Sequence, residues 1–297
     1  MFKADLFKGK RFLVTGGGTG LGRIMMDKFV ELGADCVICG RRGGVLEETA
    51  KQVMAKYPGR RVDTYAVDIR VATAVEEMIE RIWATGPLDG LVNNAAGNFI
   101  SQTKDLSPRA FDAIANIVLH GTFYMTNACG KRWIAEQRKA SVLSILTTWV
   151  WTGSPFVVPS AMSKAGVAVM TQSLAVEWAR HGIRLNAIAP GPFPTEGAWA
   201  RLDPLKEGAI DEDPDNRYRT RNPMGRVGRS SELANMAAFL MSEEVEYING
   251  EVIAIDGAMG IMGNGTFSSM MAYSEADWRR IREQIQSTNA ADRAKRN

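Results

Sequence analysis

Arg11-Phe12-Leu13-Val14-Thr15-Gly16-Gly17-Gly18-Thr19-Gly20-Leu21-Gly22 decides the fold. Residues 11–14 read as a short apolar strand. The glycines end it and release the chain into 21–32, where Leu21, Ile24, Met25, Phe29 and Leu32 fall at helical spacing. Gly33 is a natural helix stop. Glycines in such a place let the backbone turn tightly and approach a phosphate. The helix N-terminus then offers unpaired N–H groups and the positive end of its dipole. Glycine runs also mark plain turns. The strand before and the helix after give this one its meaning.

The alternation continues outward from that unit. Further strands read at 35–39, 61–67, 88–92, 141–146, 184–189 and 251–256. Helices read at 72–84, from Ser107-Pro108 toward Gln137, at 160–180 and at 230–241. Ser107 and Pro108 have the N-cap and first-turn chemistry of a helix start. About seven strands separated by helices predict an α/β fold, a Rossmann-type doubly wound parallel sheet with helices on both faces. One domain spans 1–297. Within it, 193–228 is long, charged and rich in Pro and Gly, and it follows strand six at the carboxyl edge, where such sheets bind ligands. A substrate lid is expected there, with a plain surface excursion as the alternative. The polar tail 274–297 carries Trp278, Ile281 and Ile285 at helical spacing, one stripe to pack on the domain or on a neighbouring subunit.

Composition is that of a globular protein with a full core: 297 residues, 45% hydrophobic and 23% charged. A net charge of +3 gives no reason to expect nucleic acid as a partner. Cys36 and Cys39 have CxxC spacing but lie in a strand, where residues three apart face opposite ways, so buried apolar roles are expected rather than a metal. The start, Met1-Phe2-Lys3-Ala4-Asp5, does not read as a signal peptide, and no apolar run reaches membrane length. A cytoplasmic protein is expected.

Four segments together resemble the short-chain dehydrogenase/reductase family over roughly residues 8–260. They are Gly16-xxx-Gly20-x-Gly22, Asn93-Asn94-Ala95-Ala96-Gly97 after strand four, Lys164 in the helix after strand five, and Pro190-Gly191-Pro192 after strand six. The resemblance implies a nicotinamide dinucleotide held by Gly16, Thr19, Gly20, Leu21, Gly22, Asn94, Ala95, Ala96, Gly97, Lys164, Pro190, Gly191 and Pro192. Asp68 and Ile69 would lie near its adenine. An NAD enzyme typically ends strand two with an acid for the ribose hydroxyls. Here Gly40 stands there, followed by Arg41 and Arg42. Guanidinium groups pair with a 2′-phosphate and a carboxylate would repel it, so NADP(H) is expected, against two solvated arginines.

The family's usual Tyr-x-x-x-Lys pair is Ser160-x-x-x-Lys164 here. A serine hydroxyl is a far poorer proton donor than a lysine-activated phenol, so ordinary alcohol–ketone chemistry is not indicated. The segments around Ser160 and Lys164, 95–101 and 197–204 look like the 2,4-dienoyl-CoA reductases. That resemblance implies a small-molecule acyl-CoA substrate and an assembly of four identical chains. It also implies an asparagine and a tyrosine that hydrogen-bond the thioester oxygen as charge builds on it. Asn98 matches the asparagine, but the tyrosine's position holds Trp149. Two roles stay open for Trp149: an oxyanion donor, with water, Thr147 or Thr148 supplying the proton, or a pocket filler in a weak enzyme. The resemblance offers Arg70, Phe99, Ser107 and Arg201 as substrate contacts. Three readings follow: a dienoyl- or enoyl-CoA reductase, a carbonyl reductase with a rearranged donor, and a quiet NADP(H)-binding homologue.

Overall fold

In a computed structural model the described residues are 1–195, 221–263 and 267–296. They fall into two compact units, Met1–Gly260 and Ile261–Asn297. The first is built on β1 (Arg11–Thr15), β2 (Asp35–Gly40), β3 (Val62–Ala66), β4 (Gly90–Asn93), β5 (Ala140–Ile145), β6 (Ile183–Pro190) and β7 (Val252–Ile255). All neighbours pair in parallel, in the order β3-β2-β1-β4-β5-β6-β7. Order reverses between β1 and β4, which opens a crevice beyond their carboxyl ends.

The helices are α1 (Gly20–Glu31), α2 (Gly43–Lys56), α3 (Ala72–Trp83), α4 (Pro108–Ala115), α5 (Gly121–Ala135), α6 (Trp149–Thr152), α7 (Val158–Trp178) and α8 (Ser230–Met241). Helix α1 buries Met25, Met26, Phe29 and Val30. It stops where Gly33 takes φ +99° and the Ala34 amide donates back to Phe29. Before β1, Phe7 packs edge-on against Phe12 and Phe29, at 5.0 and 5.7 Å between centroids. Truncating such a buried ring typically costs about 3–5 kcal/mol. The expected strands all form, with ends shifted by a residue or two. The helix expected from Ser107 starts as read, the Ser107 hydroxyl accepting the Ala110 amide at 3.2 Å. It is interrupted at Asn116–His120 by a π-helical turn before α5 resumes. Helix α2 fills a stretch in which no periodic signal was read.

Cys36 and Cys39 sit in the cores on opposite faces of the sheet. Burial pushes both thiols up, Cys39 to about 12, so neither is a ready thiolate. Among the described residues no cluster of His, Cys, Asp and Glu could hold a metal, and no helix is long and apolar enough to cross a membrane.

The second unit is mainly α9 (Glu275–Arg296), which begins where the tail was expected to turn helical. Its start is capped reciprocally: Asp277 accepts the Ser274 amide and hydroxyl, and the Ser274 oxygen accepts the Asp277 amide. Trp278 and Ile285, from the predicted stripe, are exposed, and Trp278 lies against Tyr273.

Candidate active site

The glycine loop is tied to both neighbouring strands. The Gly16 amide donates to Cys39 at the end of β2. Thr15, buried at the end of β1, donates its hydroxyl to Val92 and accepts the Asn94 and Ala95 amides at 2.9 Å each. The Asn94 side-chain amide then reaches back to the Thr15 carbonyl. This packing explains the glycines individually. Gly16 and Gly20 adopt left-handed φ of +66° and +55°. A Cβ on Gly22 would lie 2.5 Å from both Asn94 Nδ2 and Gly16 O. Only a bare backbone lets α1 start so near the Asn94 segment. Thr19, at the N-cap, is extended and makes no capping bond with its side chain, so the first amides of α1 remain available to an anion.

At the carboxyl edge of β2, Gly40 closes the strand, and Arg41 and Arg42 follow with exposed side chains. Neither guanidinium has an ion-pair partner among the described residues. Asp68 lies just beyond β3. The Arg70 guanidinium grips its carboxylate through Nε at 2.9 Å and holds it below the usual carboxylate range, with a smaller contribution from nearby Arg41. Arg70, expected at the substrate, pairs with Asp68. Ile69 is buried against Gly121.

The candidate reacting groups lie at the exits of β4 and β5 and on α7. Ser160 and Lys164 are both buried, one turn apart on α7, so they share a face. Lys164 Nζ donates to the Ile145 carbonyl at the end of β5. Burial pushes its ammonium down to about 8. Thr147 and Trp149 follow β5 and are half-buried, with no partner for hydroxyl or indole N–H among the described residues. Asn98, beyond β4, accepts the Phe99 amide on its side-chain carbonyl at 2.9 Å. Its NH₂ is therefore the end left to donate. The loop at 97–101 is joined to the approach to α7 by a bond from the Ser101 amide to the Phe156 carbonyl, 2.9 Å.

The floor between β6 and β7 is fixed by the Gly191 amide on Ile255 and by Pro192, whose carbonyl accepts Gly228. A Cβ on Gly191 would meet Asp256 at 2.7 Å. The chain then turns back so that Thr195 lies over Gly20. No sequence signal pointed to Thr195. Residues 196–220, with Arg201 and the middle of the expected lid, lie outside the described residues. The sequence reading also missed Asn116, which meets His120 Nδ1 at 2.9 Å inside the π-helical turn. An asparagine in mid-helix was the available signal, because such residues compete with the helical backbone. Exposed His120 approaches Tyr124.

The family described as enoyl-(acyl carrier protein) reductase matches residues 16–260. A probable 2,4-dienoyl-CoA reductase of Caenorhabditis elegans, (3E)-enoyl-CoA-producing, is 44% identical over 262 residues, 87% of this chain and 83% of that one. A probable 2,4-dienoyl-CoA reductase of Bacillus subtilis, (2E)-enoyl-CoA-producing, is 41% identical over 252 residues, 84% and 95% of the two chains. The solved structure of a short-chain dehydrogenase from Bacillus anthracis superposes with a TM-score of 0.76 at 41% identity, covering 85% of this chain and 97% of that one. A parallel sheet with its order reversal at a glycine loop, a buried lysine at the crevice and these likenesses agree: the chain is an oxidoreductase of the short-chain dehydrogenase/reductase family, resembling its 2,4-dienoyl-CoA reductases.

Proposed function

We propose that this protein is an NADPH-dependent reductase of unsaturated acyl-CoA thioesters, a 2,4-dienoyl-CoA reductase serving fatty-acid β-oxidation. The observation that carries this reading is buried Ser160 in the place of a phenol beside Lys164. A serine hydroxyl is a far poorer proton donor to a carbonyl oxygen near neutral pH than a lysine-activated phenol. Asn98 and Trp149 can still donate hydrogen bonds to an oxygen that gains charge. Such a site suits a substrate whose oxygen only carries charge while a carbon takes the proton.

The cofactor cradle fits a dinucleotide: bare glycines where Cβ atoms would collide, a start of α1 with no side-chain cap, and two guanidiniums beyond β2, unpaired among the described residues, in place of an acid. NADPH, when bound, supplies the hydride. Lys164 would hold the nicotinamide ribose, and Pro190, Gly191 and Pro192 would line the nicotinamide side of the crevice. Arg41 and Arg42 take the 2′-phosphate. Asn98 and Trp149 hold the thioester oxygen, and Thr147 stands near with a free hydroxyl to pass a proton from water. Phe99 and Ser107 contact the CoA thioester in this reading.

Oxidation of NADPH by the purified protein in the presence of 2,4-dienoyl-CoA, followed by absorbance, tests the reading. Trp149→Phe removes one neutral donor and is expected to lower kcat about tenfold. Trp149→Tyr is expected to raise kcat above wild type. An unchanged rate in Trp149→Phe would make the indole a pocket filler. Turnover of ketones without turnover of dienoyl-CoA would favour a carbonyl reductase, and NADPH binding with no turnover a quiet homologue.

The assembly is proposed to be a homotetramer. Met162, Val169 and Val176 recur every seven residues along α7 and are 57%, 61% and 82% exposed, and Phe123 on α5 is exposed as well. An apolar stripe of this kind is the usual mark of a subunit interface. Sedimentation at the mass of four chains is the expected result, and a lone subunit at micromolar concentration would refute it.

A further inference from the structure

We propose that Phe156 is the residue that selects the apolar tail of the acyl substrate, an inference that rests on the reading just given. Phe156 has a left-handed backbone, φ +65°. Glycine meets that geometry without steric cost, and a bulky ring does not. Three residues earlier the same turn uses Gly153 at φ +66°. The fold covers less than half of this residue in return, since Phe156 is 56% exposed. A strained, solvated phenylalanine is accounted for if its contact comes from a bound molecule.

Its position says which molecule. The Phe156 carbonyl accepts the Ser101 amide, which places this residue against the loop bearing Asn98 and Phe99. The next residue, Val157, is buried and leads into α7, with Ser160 and Lys164. Phe156 therefore stands where the oxyanion loop meets the lysine helix. Ile100 and Trp151 are exposed on the same two segments, and neither 97–101 nor 149–156 contains a charged side chain. Such a rim offers CoA phosphates no counter-charge and suits hydrocarbon. A thioester with its oxygen at Asn98 sends its acyl chain outward past that rim.

Phe156→Gly removes the ring and relieves the backbone, so the variant is expected to fold with a Tm at or above wild type. With NADPH and dienoyl-CoA substrates of six, ten and fourteen carbons, KM is expected to rise about tenfold for the longer two and under about twofold for the shortest. The kcat values are expected to hold. An equal rise at every length, or no rise, overturns the proposal. If the wild type reduces no dienoyl-CoA, the parent reading fails but the tail site is still measurable. Calorimetry with decanoyl-CoA and butyryl-CoA then decides: about tenfold preference for the longer chain, erased in Phe156→Gly, sustains the proposal, and equal affinities overturn it. Dissociation of the assembly in Phe156→Gly would also overturn it, by assigning the ring to another copy of the chain.

Discussion

Lys164→Met is expected to lower kcat/KM for NADPH-dependent turnover by roughly 10³-fold, about 4 kcal/mol of transition-state stabilisation. The methionine keeps the apolar stem and removes the one cation that the proposed mechanism sets against the nicotinamide ribose. Initial rates at saturating NADPH check the result, and a loss under tenfold would remove Lys164 from the mechanism. A second readout uses the same pair of proteins. Burial holds the Lys164 ammonium near 8 in the folded chain, against 10.5 for a free lysine. Between those values the unfolded chain binds the extra proton and the folded chain does not, so the lysine's contribution becomes more favourable as pH rises. Below pH 8 both states are charged, and the folded one bears the full burial penalty. The Tm of cofactor-free wild type is therefore expected to gain on Lys164→Met from pH 8 toward pH 10.5. A constant gap across that window would mean the ammonium is not desolvated.

Joint replacement of Arg41 and Arg42 by alanine is expected to raise the Kd for NADPH by roughly 100-fold and to leave NADH binding nearly unchanged. A charge-assisted hydrogen bond is worth about 1.5–3 kcal/mol, and solvent screening at these exposed side chains trims each to the low end. Fluorescence titration with both nucleotides measures the ratio. The same electrostatics predict that added salt weakens NADPH binding in the wild type more than in the double variant. Wild type binding NADH as tightly as NADPH would remove the phosphate-site assignment.

What the sequence made legible follows from which signals are local. The strands and the glycine loop were readable because apolar runs bounded by glycines state their structure within a few residues. Helix α2 was not, because it starts at Arg42-Gly43-Gly44 with no capping side chain and mixes its few buried residues, Leu46, Thr49, Ala50 and Val53, with charges. The cap at Ser107 was plain, whereas the π-helical turn eight residues after Pro108 was signalled only by Asn116 in mid-helix. At the site, Gly22, Lys164 and Asn98 were singled out by the resemblance to the family's motifs. Arg70's grip on Asp68, the tie between Ser101 and Phe156, and Thr195 over Gly20 depend on where loops meet in space. No window along the chain contains those relations.

The Thr15 hydroxyl has a consequence beyond its three hydrogen bonds. A single oxygen, anchored at the end of the first strand, sets the gauge between the two loops that must flank a dinucleotide. With that distance fixed by the scaffold, the nucleotide half of the crevice has little freedom to adapt. Variation in what the enzyme accepts must then come from the outer segments, so selection on substrate can reshape the rim and leave the cofactor's seat intact.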